Sequence, residues 1–168
     1  NSTVTNTVNG GGGGGLGDNG SNLIVTNCIF IGNSTAYLGG GVSCEMSTFI
    51  NCSFSGNHAE IEGGGLFSYS NTGTAITNSI FWGNSTEFGS STPMVSYSIV
   101  QGGYTGTGNL DSDPLFIDQP VIGLGSTGDL RLSICSAGID AGVNDSIPTG
   151  VTTDLDGNPR IYRSEERR

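Results

Sequence analysis

Asn22–Asn33 reads NLIVTNCIFIGN, Thr48–Asn57 reads TFINCSFSGN and Ala75–Asn84 reads AITNSIFWGN. Aligned, the three segments place Asn27, Asn51 and Asn78 in one column, Cys28, Cys52 and Ser79 in the next, and Phe30, Phe54 and Phe81 two positions on, with offsets of 24 and 27 residues. A glycine cluster follows at matching distance: Gly39, Gly40, Gly41, Val42 and then Gly63, Gly64, Gly65, Leu66, with an earlier copy at Gly13, Gly14, Gly15, Leu16. A helical repeat of this period would carry apolar residues three, four and seven apart and few glycines. These units instead carry β-branched and aromatic residues two apart, interrupted by Gly and Asn, so the repeating element is a strand. One coil of a parallel β-helix takes roughly 20 to 30 residues as three short strands and three turns, each strand pairing with its counterpart at roughly 4.8 Å.

That geometry assigns the columns. Val25 and Cys28 differ by an odd number, so both face inward only if a turn at Thr26 and Asn27 resets the alternation. Asn suits the turn because it tolerates the left-handed conformation and can hydrogen-bond the equivalent Asn of the next coil. Cys28 and Phe30 then point inward together, and Phe30, Phe54 and Phe81 form an aromatic column. Asn33, Asn57 and Asn84, each after a Gly, mark the next turn. The glycine triplets permit positive φ and close approach where the chain re-enters a strand with Val42, Cys44 and Leu66 inward. Met94–Val100 (MVSYSIV) reads as a looser fourth coil, with its turn at Gln101, Gly102 and Gly103.

The pairing of F-x-x-N (Phe30 to Asn33, Phe54 to Asn57, Phe81 to Asn84) with G-G-x-hydrophobic resembles the repeats of chlamydial polymorphic outer-membrane proteins and wider bacterial β-helix repeat proteins. Downstream, Asp113–Phe116 (DPLF), Asp129–Leu132 (DLRL), Ile139–Gly142 (IDAG) and Asp154–Arg160 (DLDGNPR) resemble the end of secreted β-helix proteins with a variable anchoring domain. Together the similarity spans Gly13 to Arg160. Such proteins usually continue past the DGNPR element, whereas this sequence stops at Ser164–Arg168 (SEERR). The resemblance implies an exported surface protein, secreted or displayed, with adhesion or surface structure as its commoner role.

Composition narrows the partners. Hydrophobic residues make up 34% and charged residues 12% of 168, Gly contributes 30, and the formal charge is −10. No Lys occurs and the first basic residue is Arg131, which disfavours nucleic acid and anionic lipid, both of which need clustered cations. No stretch approaches the roughly 18 apolar residues of a membrane helix. A start at Asn1 without Met points to a mature or excised piece of a longer chain.

Candidate chemistry is sparse. Cys28 and Cys52 share a column one coil apart, close enough for a disulfide, with buried thiols as the favoured alternative. Cys44 lies inward on a neighbouring strand, and Cys135 has no evident partner. His58 reads as a solvent-facing turn residue without a catalytic partner. Glu60 with Glu62, Asp111 with Asp113, and Asp154 with Asp156 are the carboxylate pairs from which a glycosidase would be built. Trp82 is the single Trp for stacking sugars. Asp154, Asp156 and Asn158, around Gly157, look like the opening of a calcium loop, the one candidate cofactor. The closing Glu is missing and Pro159 intervenes, which favours a structural turn with Asp156 paired to Arg160.

The expectation is therefore an all-β, right-handed parallel β-helix over residues 1–109 with a loop-rich C-terminal portion, 110–168, packed on or continuing the stack. Its function is an extracellular or cell-surface structural or adhesive scaffold. Partners are further copies, joined end to end into filaments, or surface glycans and proteins. A carbohydrate-active enzyme and a carbohydrate-binding module are the rival readings. An ice binder ranks last, because Thr35, Thr48, Thr74 and Thr86 share no register.

Overall fold

The computed structural model describes residues 2–5, 8–9, 12–20, 22–123, 125 and 127–161, with backbone alone at 5, 8 and 9. The strands stack in parallel into a β-solenoid of about three turns. They form four ladders rather than the expected three, because each Asn bend splits one side of the coil in two. The first ladder joins Ile24–Thr26, Thr48–Ile50, Ala75–Thr77 and Met94–Ser96. The second joins Ser2–Thr5, Cys28–Ile31, Ser53–Ser55, Ile80–Phe81 and Ile99–Val100. The third is short: Val8–Asn9, Ser34–Thr35 and His58–Ala59. The fourth joins Leu16–Gly17, Val42–Cys44 and Leu66–Ser68.

Register follows the repeat. Phe30 pairs with Phe54 and Phe54 with Phe81, although the two steps differ in length. The extra residues of the longer step lie in the exposed loop through Asn71, Thr72 and Gly73. The three rings stack nearly parallel, with centroids 4.7 and 4.2 Å apart. Phe88 and Tyr104 extend the aromatic file at 4.6 and 5.0 Å. A second inward column, Val25, Phe49, Ile76 and Val95, faces it from the first ladder, and Leu16, Val42 and Leu66 close the core from the fourth.

The bend between the first two ladders is one residue, not two: Thr26 remains in its strand, and Asn27, Asn51 and Asn78 alone take φ of 54°, 56° and 53°. Tyr97, at 49°, occupies the same place in the last coil. Asn is among the few residues with a side chain that enter this region readily. The residue after each bend then ties it. Ser79 Oγ donates to Thr77 O at 2.9 Å, Ser98 Oγ to Ser96 O at 2.8 Å, and Cys28 and Cys52 Sγ to Thr26 O and Ile50 O at 3.3 and 3.4 Å. The same atoms accept from the coil before, since the backbone N–H of Cys52 bonds Ser79 Oγ and that of Ser79 bonds Ser98 Oγ. Glycine is required at Gly40, where a Cβ would lie 2.4 Å from His58 O and 2.5 Å from Gly64 O.

The other asparagine column is fully internal. Asn33 donates through its backbone N–H and its amide to Asn57 Oδ1, at 3.1 and 3.0 Å, and Asn57 repeats both bonds to Asn84 Oδ1 at 3.0 and 2.9 Å. Each amide also reaches backward, Asn57 to Phe30 O and Asn84 to Phe54 O. Where a fourth Asn would stand, Glu87 takes its place and accepts from Asn84 N and Nδ2.

Burial pushes the Glu87 carboxyl up to about 7, against the opposing pull of Asn84, and Tyr104 is the other titratable group lining the same hollow. A folded-state value above the ordinary 4.5 means that the folded protein holds this proton more tightly than the unfolded chain. The stabilisation is fully present below about pH 4.5 and is lost as pH rises through about 7. Thermal melts should therefore show this contribution falling between about pH 5 and 8. Glu87→Gln, which continues the ladder with an uncharged amide, should flatten that part of the profile and raise the midpoint at about pH 8.

Candidate functional site

From Leu110, which bridges in parallel to Ile99, the chain leaves the coil and runs back along the outer face of the second ladder. Phe116–Asp118 and Asp129–Leu132 pair antiparallel, and a 3₁₀ turn covers Asn144–Ser146. The bend asparagines anchor this segment. Asn78 grips Val143 with two bonds of 2.9 Å, one to its carbonyl and one from its N–H, and Asn27 donates to Thr153 O at 3.1 Å. Asn51, with its amide turned to satisfy both ends, meets Asn27 Oδ1 at 3.2 Å and accepts from Arg160 Nε at 2.9 Å and Nη2 at 3.2 Å. The expected Asn-to-Asn contact is thus present between Asn27 and Asn51, while the column's main partners are in the C-terminal segment. Farther along, Gln119 Nε2 donates to Ser55 Oγ and Gly123 N to Gly56 O.

Between the sheet face and this segment lies a cleft of about 910 Å³. Ile29, Ile31 and Ile80 form its floor, Leu130, Leu132 and Ile147 part of its cover, and carboxylates and two arginines its polar rim. Arg131 forks onto Asp129, which holds that carboxyl down at about 2, and the guanidinium also feels Asp156. Burial pushes the Arg160 guanidinium down, opposed by the charge of Asp154. The expected Asp156–Arg160 pair is therefore exchanged: Arg160 faces Asn51 and Asp154, while Asp156 lies toward Arg131, because docking on Asn51 draws Arg160 to the sheet.

The calcium candidates Asp154, Asp156 and Asn158 lie in a turn closed by its own hydrogen bonds. Asp154 Oδ1 accepts from the backbone N–H of Asp156 and Asn158, at 2.9 and 2.8 Å, and Asn158 turns its amide nitrogen to Asp154 Oδ2. Both carboxylate oxygens of Asp154 face N–H donors. Among the described residues no group of three or more His, Cys, Asp or Glu side chains could hold a metal. Of the other paired carboxylates, Glu62 accepts from Ser90 N, Asp111 from Gly102 N and Asp113 from Leu115 N. His58 sits half-buried in a strand, bonded through its N–H to Asn33 O, rather than in a solvent-facing turn, because the third ladder runs through it. All four cysteines are free thiols.

Sequence reasoning missed Phe49, Glu87, Tyr97 and the convergence on one face of the three C-terminal elements DLRL, IDAG and DLDGNPR. Phe49 was accessible from alignment with Val25 and Ile76, two residues before each bend. The anchoring predicts a specific outcome. Asn78→Gly keeps the positive φ without strain and deletes only the two bonds to Val143, so opening of the C-terminal segment should become easier by about 1–3 kcal/mol. Limited proteolysis should then cut between residues 110 and 161 faster while the coils stay intact.

No protein-family model matches the chain, and neither does any curated protein or solved structure.

Proposed function

We propose that this chain is a structural or adhesive scaffold, exported to the cell surface or secreted, whose parallel coil is right-handed and belongs with the bacterial surface β-helix repeat proteins. The observation that carries the reading is the destination of its polar side chains. Asparagines, serines, cysteines and carboxylates close backbone hydrogen bonds within and between coils, so the stack holds itself rigid along its axis. Export is supported by the acidic, Lys-free composition, and the family by the paired F-x-x-N and G-G-x-hydrophobic repeats. Right-handedness is supported by the near-universal hand of parallel crossovers. The partner in this reading is a further copy stacked end to end, or a surface glycan or protein. Light scattering tests self-association: the mean mass should rise with concentration, and a monodisperse monomer at every concentration removes the filament.

One observation favours a second reading, a carbohydrate-binding module. The cleft combines an apolar floor with fixed amide, carboxylate and guanidinium groups and the Tyr97 ring, the mixture by which proteins hold sugars. A glycan array run beside a reducing-sugar assay separates the alternatives. Binding without release of reducing ends supports the module, release identifies a hydrolase, and the absence of both supports the scaffold.

A further inference from the structure

We infer that Cys28 and Cys52 are a modification site, a thiol pair at which a low-molecular-weight disulfide staples two neighbouring coils together. Ile29 pairs with Ser53, so the residues before them stand on successive rungs of the stack. Rung spacing in a parallel ladder is about 4.8 Å, within the Cα separations that disulfides span. Both sulfurs reach the same short stretch of strand, Cys28 Sγ donating to Thr26 O at 3.3 Å and Cys52 Sγ, from the next coil, to Val25 O at 3.5 Å.

The column itself argues that sulfur is not needed for the fold. Ser79 and Ser98 occupy the next two rungs and make the same pair of bonds, donating across the bend and accepting a backbone N–H from the coil before. Thiols replace hydroxyls only at the two rungs where they meet. Cys44, by contrast, is buried beside the hydroxyl of Thr74, and Cys135 is exposed in the C-terminal segment.

The environments divide the labour of thiol–disulfide exchange. Cys28 is half-buried, and the neighbouring Cys52 thiol brings its thiol down to about 6, whereas that same proximity and burial push Cys52 up. Cys28, the more accessible of the two, is the attacking sulfur and Cys52 the enclosed partner. The guanidinium of Arg160 faces Cys52 and favours negative charge there when its proton leaves.

The exchange balances with a small disulfide RSSR as oxidant. The Cys28 thiolate attacks one sulfur, forming a mixed disulfide with Cys28 and releasing RS⁻. Cys52 gives up its proton to that thiolate and attacks Cys28 Sγ, displacing the second RS⁻. Two protein thiols are oxidised and the reagent is reduced to two thiols.

The test uses the full chain, oxidised glutathione and alkylation of remaining thiols under denaturing conditions, followed by peptide mass mapping. The expected product is a Cys28–Cys52 cross-link, about 2 Da below the mass of the two reduced peptides, with glutathione retained on the solitary Cys135. Cys52→Ser keeps the ladder in the manner of Ser79 and should trap glutathione on Cys28. Under a limiting aromatic disulfide, Cys28 should also react at least about tenfold faster than Cys44. Three results overturn the inference: glutathione remaining on Cys28 in the unmodified chain, both thiols still free after Cys135 has reacted, or a link from Cys28 to Cys44 or Cys135.

Discussion

Truncating Phe54 to Ala is expected to lower the unfolding free energy by about 3–5 kcal/mol, read from urea denaturation followed by circular dichroism. Phe54 has no exposed surface, and its ring lies between those of Phe30 and Phe81 with Phe49 at its edge, 5.8 Å away. Removing it opens a cavity bounded by three other aromatic rings. Each stacked pair contributes about 0.5–1.5 kcal/mol beyond burial, and two such pairs are lost at once. The coils above and below cannot close the gap, because their separation is set by ladder hydrogen bonds. Phe54→Leu, which restores most of the volume but not the stacking, should cost clearly less. Phe30→Ala should fall between them, since Phe30 stacks on Phe54 alone and has Val4 as its other rung neighbour. An equal cost at Phe54 and Phe30 would mean that the aromatic file is ordinary core and not a cooperative stack.

Stacking of like on like is also why so much of the fold was legible. A solenoid places equivalent residues directly above one another, so any side chain that benefits from an identical neighbour recurs at the coil length, and Phe30, Phe54 and Phe81 expose that length without further information. The positive φ of Asn27, Asn51 and Asn78 was legible for the same reason, since few other residues tolerate it. Legibility ends where repetition ends. Glu60 and Glu87 both follow a column Asn by three residues, yet Glu60 is exposed and Glu87 caps the ladder. The difference arises because no fourth Asn arrives to receive Asn84, which becomes visible only once the coil is closed. The cleft was hidden more deeply. Its rim comes from Asp129, Arg131, Asp154 and Arg160, whose positions depend on how a non-repeating segment crosses the sheet, and no periodicity encodes that path. Even the anchoring asparagines could be read only as turn formers bonded to one another, because their further partners, Val143, Thr153 and Arg160, are distant in sequence.

Asn57→Ala should prove comparably damaging, at about 3–6 kcal/mol on the basis of about 1–3 kcal/mol for each buried group left unsatisfied, even though the residue removed is polar and small. The Asn57 amide is wholly buried and takes part in four side-chain bonds: it accepts from Asn33 N and Nδ2, and donates to Phe30 O and Asn84 Oδ1. Its loss strands a backbone N–H, a backbone carbonyl and two neighbouring amides in a core that water does not enter. A ladder of this kind fails from the middle. Asn84 retains Glu87 and Asn33 retains its bond to Val4 O, but the two halves no longer communicate. Asn57→Asp sharpens the test, because the isosteric carboxylate keeps both acceptor roles toward Asn33 while turning oxygen toward Phe30 O and Asn84 Oδ1. Protonation would relieve that repulsion, so the introduced carboxyl should acquire a raised pKa and the variant should regain stability as pH falls, with the gain complete below the ordinary carboxylate range. Urea midpoints at about pH 4.5 and pH 8 measure it. A cost of about 1 kcal/mol for Asn57→Ala, typical of a single lost hydrogen bond, would reduce the column to a set of independent turns. The rigidity on which a scaffold role depends would then have to come from the phenylalanines alone.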